Sequence, residues 1–434
     1  MPDGSPHRLG ALFLLAAGLA APASAAPPPA AAASSPAQAS AIFAARAGDL
    51  VGLVNGDTPP ERIFSPQMLA AVPAARLTAV AADLRNRYGR ALRVDHIESA
   101  SPVSGLVALR LEHAMLRLTI TVAPQPPGQI IGLVVSGIDL DNDNPAAIAA
   151  ALKALPGEAA MSVATLGGSS PAPSAALAGD RAMAIGSAFK LFVLAELARE
   201  VKAGERHWAD VVPLAYRSLP SGLLQDWPQG SPITLHSLAA LMISRSDNSA
   251  ADTLLHLLGR EKVEQLLPAL GVGAAARDRP LLSTREAFAV KADSAALERW
   301  RAGDEAARRA MLPALDSAEI DPASLAGGPH AIDSVEWFAS TDDLVRTLDW
   351  LRRNADPTAL AILAINPGLA QAKDGFVYAG YKGGSEPGVI AMAFLLRRRD
   401  GSWRAVAGIW NDPAAPVDES RFEALMGRLV ALQR

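Results

Sequence analysis

Cysteine is absent from this chain of 434 residues. The absence excludes disulfide scaffolds, iron–sulfur clusters, cysteine nucleophiles and zinc sites with thiolate ligands. A basic surplus is also lacking, because 40 lysines and arginines face 44 aspartates and glutamates, for a net charge of −4. This balance leaves little positive charge to neutralise a phosphate backbone, which argues against a nucleic-acid partner. Long apolar runs are scarce as well, and the one that occurs lies at the N-terminus.

The N-terminal run predicts a signal peptide over residues 1–25. Arg8 supplies a positive charge, an apolar stretch follows, and Ala23-Ser24-Ala25 forms a small-residue cleavage site. The run falls short of the ~20 residues that span a bilayer, which disfavours the alternative of an uncleaved anchor. Residues 26–40, rich in proline and alanine, predict a disordered leader. We therefore expect an exported protein, periplasmic or secreted, with no stable membrane anchor after signal removal.

Residues 41–140 have the pattern of an α+β domain. Helical stripes come first, and alternating strands follow, most clearly at residues 115–122. This order resembles the cone-shaped folds of the nuclear-transport-factor, cystatin and ketosteroid-isomerase type, an analogy of fold that implies no activity. Asp95 and His96 are a candidate acid–base pair. Neighbours on a strand point to opposite faces, however, which favours ordinary surface residues.

A polar, turn-rich segment at residues 139–145 predicts the domain boundary. Its aspartates and asparagines resemble a calcium loop, but the glycine and the distal glutamate of an EF-hand are missing, so we favour a linker. Residues 141–434 then predict an α/β domain with an antiparallel sheet. One strand lies near the start of this domain, a long helical block follows, and two strands joined through Asp400-Gly401 lie near its end. We expect a sheet built from both ends of the domain, with a helical subdomain inserted between them.

Lysine is scarce, with only 7 among the 40 basic residues, and two lysines lie where lysine chemistry is useful. Ser187-Ala-Phe-Lys190 puts a serine and a lysine on one face at the start of an apolar helix. A lysine desolvated there loses proton affinity and can act as the base that activates the serine. Taken alone the motif is common, and the alternative is a serine that merely caps the helix.

Two further motifs follow. Ser246-Asp247-Asn248, between two apolar helices, displays a hydroxyl and an amide that can relay a proton and hold a carbonyl, with helix capping as the alternative. Lys382-Gly383-Gly384-Ser385 precedes the first late strand. Glycines beside a lysine on an edge strand let a substrate backbone approach and pair, whereas the alternative is a plain turn before the hairpin.

In this order the three motifs resemble the active site of the penicillin-recognising serine hydrolases, which include class A β-lactamases, penicillin-binding proteins and related esterases. The resemblance covers roughly residues 150–434. With the preceding α+β domain, the chain is most similar to the two-domain β-lactamase-like serine hydrolases of the clavulanate-biosynthesis type. The resemblance implies that Ser187 is the acyl-accepting nucleophile and Lys190 its base. It also implies that Ser246 passes a proton to the leaving group, and that Lys382 supports it and attracts an anionic substrate.

The same resemblance implies the residues that bind the substrate. Asn248 would hold the acyl-amide carbonyl, and the backbone N–H groups of Ser187 and Ser385 would form the oxyanion hole beside Gly383 and Gly384. The family usually has threonine or serine in place of Gly383, and loss of that hydroxyl weakens recognition of a β-lactam carboxylate unless Ser385 compensates.

The family's Glu-x-x-Leu-Asn segment, whose glutamate activates the deacylating water, has no counterpart at residues 277–286. Glu286 is a candidate substitute, but it begins a helical run, which favours a structural carboxylate in a first turn. The residues that acylation needs are therefore all present, whereas the general base that deacylation needs is missing. This difference predicts slow turnover of β-lactams or a different substrate.

The leading hypothesis is an exported serine hydrolase that forms an acyl-enzyme on Ser187 with β-lactam, ester or peptidoglycan-like amide substrates. We expect no cofactor and no metal, since the 7 histidines include no pair three or four residues apart. One alternative is a D-alanyl-D-alanine peptidase. Another is a non-catalytic protein that binds a ligand or partner and retains a relic catalytic domain.

Overall fold

The computed structural model describes residues 40–218, 220–321 and 327–434. The chain divides into two compact units between Asn142 and Asp143. The predicted signal peptide (residues 1–25) and the leader up to residue 39 lie outside the described residues. Along the described chain, no helix has both the length and the apolar character needed to cross a membrane.

The N-terminal unit packs helices against a four-stranded antiparallel sheet whose strands follow chain order. The helices are α1 (Ala41–Asn55), α2 (Pro60–Ile63), α3 (Pro66–Ala71) and α4 (Ala74–Tyr88), and the strands are β1 (Ala91–Ser101), β2 (Ser104–Leu111), β3 (Ala114–Val122) and β4 (Ile130–Leu140). Alternate residues of β3, such as Leu116, Leu118 and Ile120, are buried against Phe43 and Leu50 of α1. The helices-then-strands order is the one that the sequence predicts.

Asp95 and His96 are both exposed on β1, and Asp95 forms an ion pair with its neighbour Arg93. A bulge between Val94 and His96 interrupts the regular alternation of the strand. These surroundings suit surface residues rather than an acid–base pair.

Charged side chains of the 139–145 segment bind arginines instead of converging on one point. Asp139 accepts from Arg117 at 2.7 Å, and Asp143 accepts two hydrogen bonds from Arg428 at 2.8 Å. Asn144 caps the helix that follows by accepting a hydrogen bond from a backbone N–H. The segment has the contacts of a structural turn, as the linker interpretation expects.

The C-terminal unit is built on a five-stranded antiparallel sheet in the order β11-β12-β13-β5-β6. The strands of this unit are β5 (Glu158–Leu166), β6 (Ala172–Leu177), β7 (Met183–Ala184), β8 (Val211–Pro213), β9 (Pro232–Thr234), β10 (Phe338–Ala339), β11 (Tyr378–Glu386), β12 (Val389–Arg397) and β13 (Trp403–Asn411). Because β13 pairs with β5, the two ends of the unit meet in the middle of the sheet. The expectation of a sheet built from both ends is confirmed.

Helices cover both faces of this sheet. They are α5 (Pro145–Lys153), α6 (Lys190–Lys202), α7 (Leu235–Ser244), α8 (Asn248–Leu258), α9 (Arg260–Leu270), α10 (Thr284–Ala292), α11 (Ser294–Ala302), α12 (Glu305–Asp316), α13 (Thr341–Asn354), α14 (Pro357–Leu363), α15 (Ala370–Gly375) and α16 (Glu419–Ala431). Alternate residues of β12 belong to two cores: Ala393 and Leu395 face the inserted helices, whereas Met392 and Phe394 face α5 and α16. A strand buried on both faces reads as a continuous apolar run, as β12 does.

Candidate active site

Ser187 lies in a 3₁₀ turn, Gly186–Phe189, that leads directly into α6. Gly186 has φ +48°, a left-handed conformation that glycine adopts at little cost and that starts the turn. Lys190 is the first residue of α6, one turn after the serine. Since α6 is buried on almost every side, its first turn is held rigidly in the core.

Lys190 is the centre of the hydrogen-bond network at this site. Its side chain is fully buried, and its Nζ lies 3.2 Å from Ser187 Oγ and 3.2 Å from Ser246 Oγ. The same ammonium donates to the Ser246 carbonyl at 2.5 Å and to Asn248 Oδ1 at 2.7 Å. One amine therefore contacts the two hydroxyls that the sequence motifs predict to react.

Ser246 is displayed at the junction of α7 and α8. Its φ of +54° is unusual for a residue with a side chain, and such strain persists only where the surroundings enforce it. Asp247, the N-cap of α8, accepts hydrogen bonds from the backbone N–H groups of Leu223, Leu224 and Ala250. Asp247 therefore anchors the junction, while Ser246 and Asn248 on either side face Lys190.

Strand β11 brings the third motif to the same place, from the edge of the sheet. Lys382 is buried, and its Nζ donates to Ser246 Oγ at 3.1 Å and also to the carbonyl of Gly383. A Cβ atom on Gly384 would lie 2.3 Å from the Ile185 carbonyl oxygen. The glycine at this position is therefore what lets the strand pack directly against the turn that carries the serine.

Gly383 has a different reason to lack a side chain. A Cβ atom there would lie 2.1 Å from the hydroxyl oxygen of Tyr381, two residues earlier on the same face of β11. The tyrosine ring folds over the glycine and packs against Phe394, with ring centroids 4.8 Å apart. The space that threonine or serine would occupy is thus filled by a phenol hydroxyl.

Burial changes the proton affinity of both lysines. Desolvation lowers the pKa of Lys190 to about 7, although the negative charges of Asp252 and Asp247 work in the opposite direction. Desolvation also holds the pKa of Lys382 well below its usual value, and the nearby Lys190 lowers it further. At neutral pH a large share of Lys190 is therefore the free amine that a general base must be.

A cavity of about 410 Å³ opens over these groups. It is lined by seven of the residues that the motifs predict: Ser187, Ser246, Asn248, Lys382, Gly383, Gly384 and Ser385. Lys190 lies beneath this surface and reaches it through the two hydroxyls. The structure thus brings three motifs that are far apart in the sequence to one cavity.

Glu286 belongs to a different set of contacts. It is buried at the start of α10, where it forms a capping box with Ser283 and two hydrogen bonds with the guanidinium of Arg260, at 2.7 and 2.8 Å. It is not among the residues that line the cavity. These contacts favour the alternative of a structural carboxylate in the first turn.

Four glutamates line the cavity, Glu336, Glu386, Glu419 and Glu423, and the sequence motifs point to none of them. Glu336 and Glu386 both contact the buried Lys291 of α10. Glu386 directly follows the third motif, but Glu336 lies about fifty residues away in the chain and carries no signature of its own. Only the fold brings the two carboxyl groups together.

One further cluster within the described residues has donors that suit a metal. Atoms of His256, Glu286 and Asp316 lie within 4.8 Å of one another. The guanidinium of Arg260 already binds both carboxylate oxygens of Glu286, which puts a cation in the place of a metal. The cluster is therefore better suited to a salt-bridge network than to a metal ion.

Comparisons with known proteins agree with the motifs. Residues 145–332 match the model of a family described as the beta-lactamase enzyme family. This match confirms the resemblance to the penicillin-recognising serine hydrolases, and with the observed sheet it identifies a β-lactamase-like α/β fold. No curated protein matches the chain.

Three of the similar solved structures illustrate the likeness. A beta-lactamase from Sphaerobacter thermophilus has 24% identity and a TM-score of 0.47, and the alignment covers 67% of this chain and 95% of that one. A beta-lactamase from Chitinophaga pinensis has 18% identity and a TM-score of 0.46, with 67% and 96% covered. A protein titled PBP-A has 15% identity and a TM-score of 0.47, with 67% and 94% covered.

Proposed function

We propose that the protein is a serine hydrolase that forms an acyl-enzyme on Ser187. The observation that carries the proposal is the position of Lys190, whose buried amine contacts the hydroxyls of both Ser187 and Ser246 at 3.2 Å. A hydroxyl is a weak nucleophile until a base takes its proton, and a desolvated lysine is such a base. The proposal covers β-lactam, ester and peptidoglycan-like amide substrates.

In the acylation step, Ser187 Oγ bonds to the substrate carbonyl carbon while its proton passes to Lys190. The bond to the leaving group then breaks, and the proton reaches that group through Ser246, which hydrogen bonds both Lys190 and Lys382. The lowered pKa of Lys190 supports this route, because a base with a pKa near the working pH can both accept and release the proton.

The negative charge that develops on the carbonyl oxygen is stabilised by the backbone N–H groups of Ser187 and Ser385. Their proximity is supported by the close packing of β11 on the Ser187 turn, where a Cβ on Gly186 would lie 3.3 Å from Ser385 N. Donors fixed in this way need no reorganisation during the reaction. Asn248, which lines the same cavity, holds the carbonyl of the acyl-amide group.

The N-terminal unit has the cone-shaped isomerase-like fold in this proposal, supported by its helices followed by a four-stranded meander. An α+β unit before the hydrolase unit also supports kinship with the two-domain serine hydrolases of the clavulanate-biosynthesis type. Export to the periplasm or the medium rests on the sequence of residues 1–25.

A panel of substrates separates the candidate activities. Hydrolysis of a penicillin, an activated ester and a D-alanyl-D-alanine peptide is followed over time for the wild type and for Ser187→Ala. Rapid release of penicilloate identifies a β-lactamase, a long-lived adduct identifies a penicillin-binding role, and peptide cleavage identifies a peptidase. If the wild type acts on none of these substrates and behaves as Ser187→Ala does, the alternative of a binding protein with a relic catalytic unit is favoured.

A further inference from the structure

Three charged side chains form a cluster that has no part in the acylation step: Lys291, Glu336 and Glu386, of which the two glutamates line the cavity. Lys291 Nζ lies 2.7 Å from Glu336 Oε1 and 2.6 Å from Glu386 Oε1. They come from three separate segments, since Lys291 lies in α10, Glu336 precedes β10 and Glu386 ends β11. The fold therefore assembles this group so that Glu336 and Glu386 line the same cavity as Ser187.

The cluster has two carboxyl groups and one ammonium. Glu336 is only 6% exposed, and its Oε2 is a buried oxygen with no hydrogen-bond partner among the described residues. Two ionised carboxylates would leave an excess negative charge in this poorly hydrated place, so the pair retains a proton. Burial, reinforced by the neighbouring Glu336, raises the pKa of Glu386 to about 9 in spite of Lys291.

The position of Glu386 follows from the alternation of side chains on β11. Lys382, Gly384 and Glu386 occupy the same face of the strand. Lys382 contacts Ser246, and a Cβ on Gly384 would lie 2.4 Å from Ser187 N. Glu386 is thus about 7 Å further along the strand from the contact with Ser187, on the side opposite Lys382.

Glu336 belongs to a different segment, which packs against the turn that carries Ser187. It precedes Trp337, whose ring stacks on Phe189 with centroids 4.0 Å apart and whose carbonyl accepts a hydrogen bond from Ile185 N at 2.9 Å. The two carboxyl groups differ in access to the cavity, because the side chain of Glu386 is 15% exposed and that of Glu336 is 1% exposed. Of these two, Glu386 is therefore the carboxyl group that a water molecule in the cavity can reach.

We infer that Glu386 is the general base that hydrolyses the acyl-enzyme, and that Glu336 and Lys291 are positioning residues that hold it. The inference rests on the proposed function, because it needs an ester on Ser187. A water oxygen bonds to the ester carbonyl carbon while one water proton passes to Glu386. The bond from the carbonyl carbon to Ser187 Oγ then breaks, Oγ takes a solvent proton that the neutral amine of Lys190 relays, and Glu386 returns its proton to solvent.

This assignment predicts how deacylation depends on pH. A carboxyl group whose pKa is about 9 is a strong base when ionised, but only about 1% of it is ionised at pH 7. Deacylation is therefore slow at neutral pH and becomes tenfold faster with each pH unit up to about 9. Lys190 has a pKa of about 7 and therefore changes charge about two pH units below Glu386. The inflection of acylation, which depends on Lys190, is thus separate from the inflection of deacylation, which depends on Glu386. The other charged groups that line the cavity are Lys382, Arg245, Glu419 and Glu423.

The test follows loss of a penicillin adduct by intact-mass spectrometry after excess penicillin has been removed, from about pH 6 to about pH 10. The rate constant for the wild type should rise tenfold per unit and level off near pH 9. Glu386→Gln should lower it about a hundredfold at the plateau and remove the inflection. Glu336→Gln should move the inflection to lower pH, because it removes the negative charge beside Glu386, and a merely structural role would not produce that shift.

Glu423→Gln is the matched control, since Glu423 lines the same cavity and should leave the inflection in place. Formation of the adduct shows that each variant is folded and acylated. An adduct that Glu386→Gln releases at the wild-type rate and with the wild-type pH profile would overturn the inference, as would loss that accelerates with hydroxide and never levels off. A wild type that forms no adduct would refute the proposed function itself, and the inference with it.

Discussion

A Cβ atom on Gly384 would lie 2.4 Å from the backbone nitrogen of Ser187. The edge strand and the serine turn are therefore packed backbone to backbone, with no space for a methyl group. This contact fixes the position of the serine relative to Lys382 and to the N–H groups on β11. The substitution Gly384→Ala tests it directly.

We expect Gly384→Ala to lower the free energy of unfolding by about 1–3 kcal/mol and to reduce acylation at least tenfold, because the backbone must shift to admit the methyl group. Urea denaturation and the rate of adduct formation measure the two effects. Gly48→Ala is the control. It lies in α1 with nothing within 4 Å of the added atom, and it should stabilise by about 0.5–1 kcal/mol. Acylation at the wild-type rate in Gly384→Ala would show that the contact does not position the serine.

The pKa of Lys190 predicts the pH dependence of acylation. The base must be the free amine, so the acylation rate should fall tenfold per pH unit below about 7 and level off above it. Lys190→Met should lower the rate at least about a hundredfold. The exposed Lys202 provides the control, and Lys202→Met should leave rate and profile unchanged. A wild-type profile that is flat between about pH 5 and 8 would contradict a role for Lys190 as the base.

Tyr381 and Gly383 compete for one space. Gly383→Thr alone should lower the free energy of unfolding by about 1–3 kcal/mol, because its Cβ would meet the Tyr381 hydroxyl. Combined with Tyr381→Ala, the same substitution has room, so the double variant should lose at least about 1 kcal/mol less than the sum of the single losses. Urea denaturation of the four proteins completes this double-mutant cycle. Simple additivity would mean that the two positions do not share the space.

Glu286 offers a prediction about stability rather than chemistry. Glu286→Gln leaves the buried guanidinium of Arg260 without its counter-charge, which should cost about 3–5 kcal/mol in the free energy of unfolding. The rate of deacylation, measured on the folded variant, should stay as in the wild type. Glu298→Gln, at an exposed position of α11, should change stability by less than about 0.5 kcal/mol. A fully stable Glu286→Gln variant that releases its adduct slowly would contradict the structural role of Glu286 and would indicate a role in deacylation.

The parts of the site that the sequence predicts are those set by local spacing. Ser187 and Lys190 are one helical turn apart, so their contact follows from the start of a helix. Strand β12 and its hairpin partner are likewise visible as apolar runs joined through a turn signal. In each case the residues that interact are neighbours in the sequence.

What the sequence does not predict depends on contacts between distant segments. Glu336 and Lys291 meet across forty-five residues, and no periodic pattern connects them. From the sequence alone, Gly383 indicates only the loss of a hydroxyl. No sequence pattern predicts that the ring of Tyr381 folds back over this glycine. The short helices α2 and α3 are also missed, since four to six residues are too few to show a helical stripe.

The central claim is that Ser187 is the residue that becomes acylated, and intact-mass spectrometry after incubation with a reactive penicillin or an activated ester tests it most directly. The wild type should gain the mass of one acyl group, and digestion should locate that mass on the peptide that contains Ser187. Ser187→Ala should gain nothing under the same conditions. The account is contradicted by a wild type that stays unmodified where a penicillin-binding protein is labelled, or by an adduct that persists in Ser187→Ala.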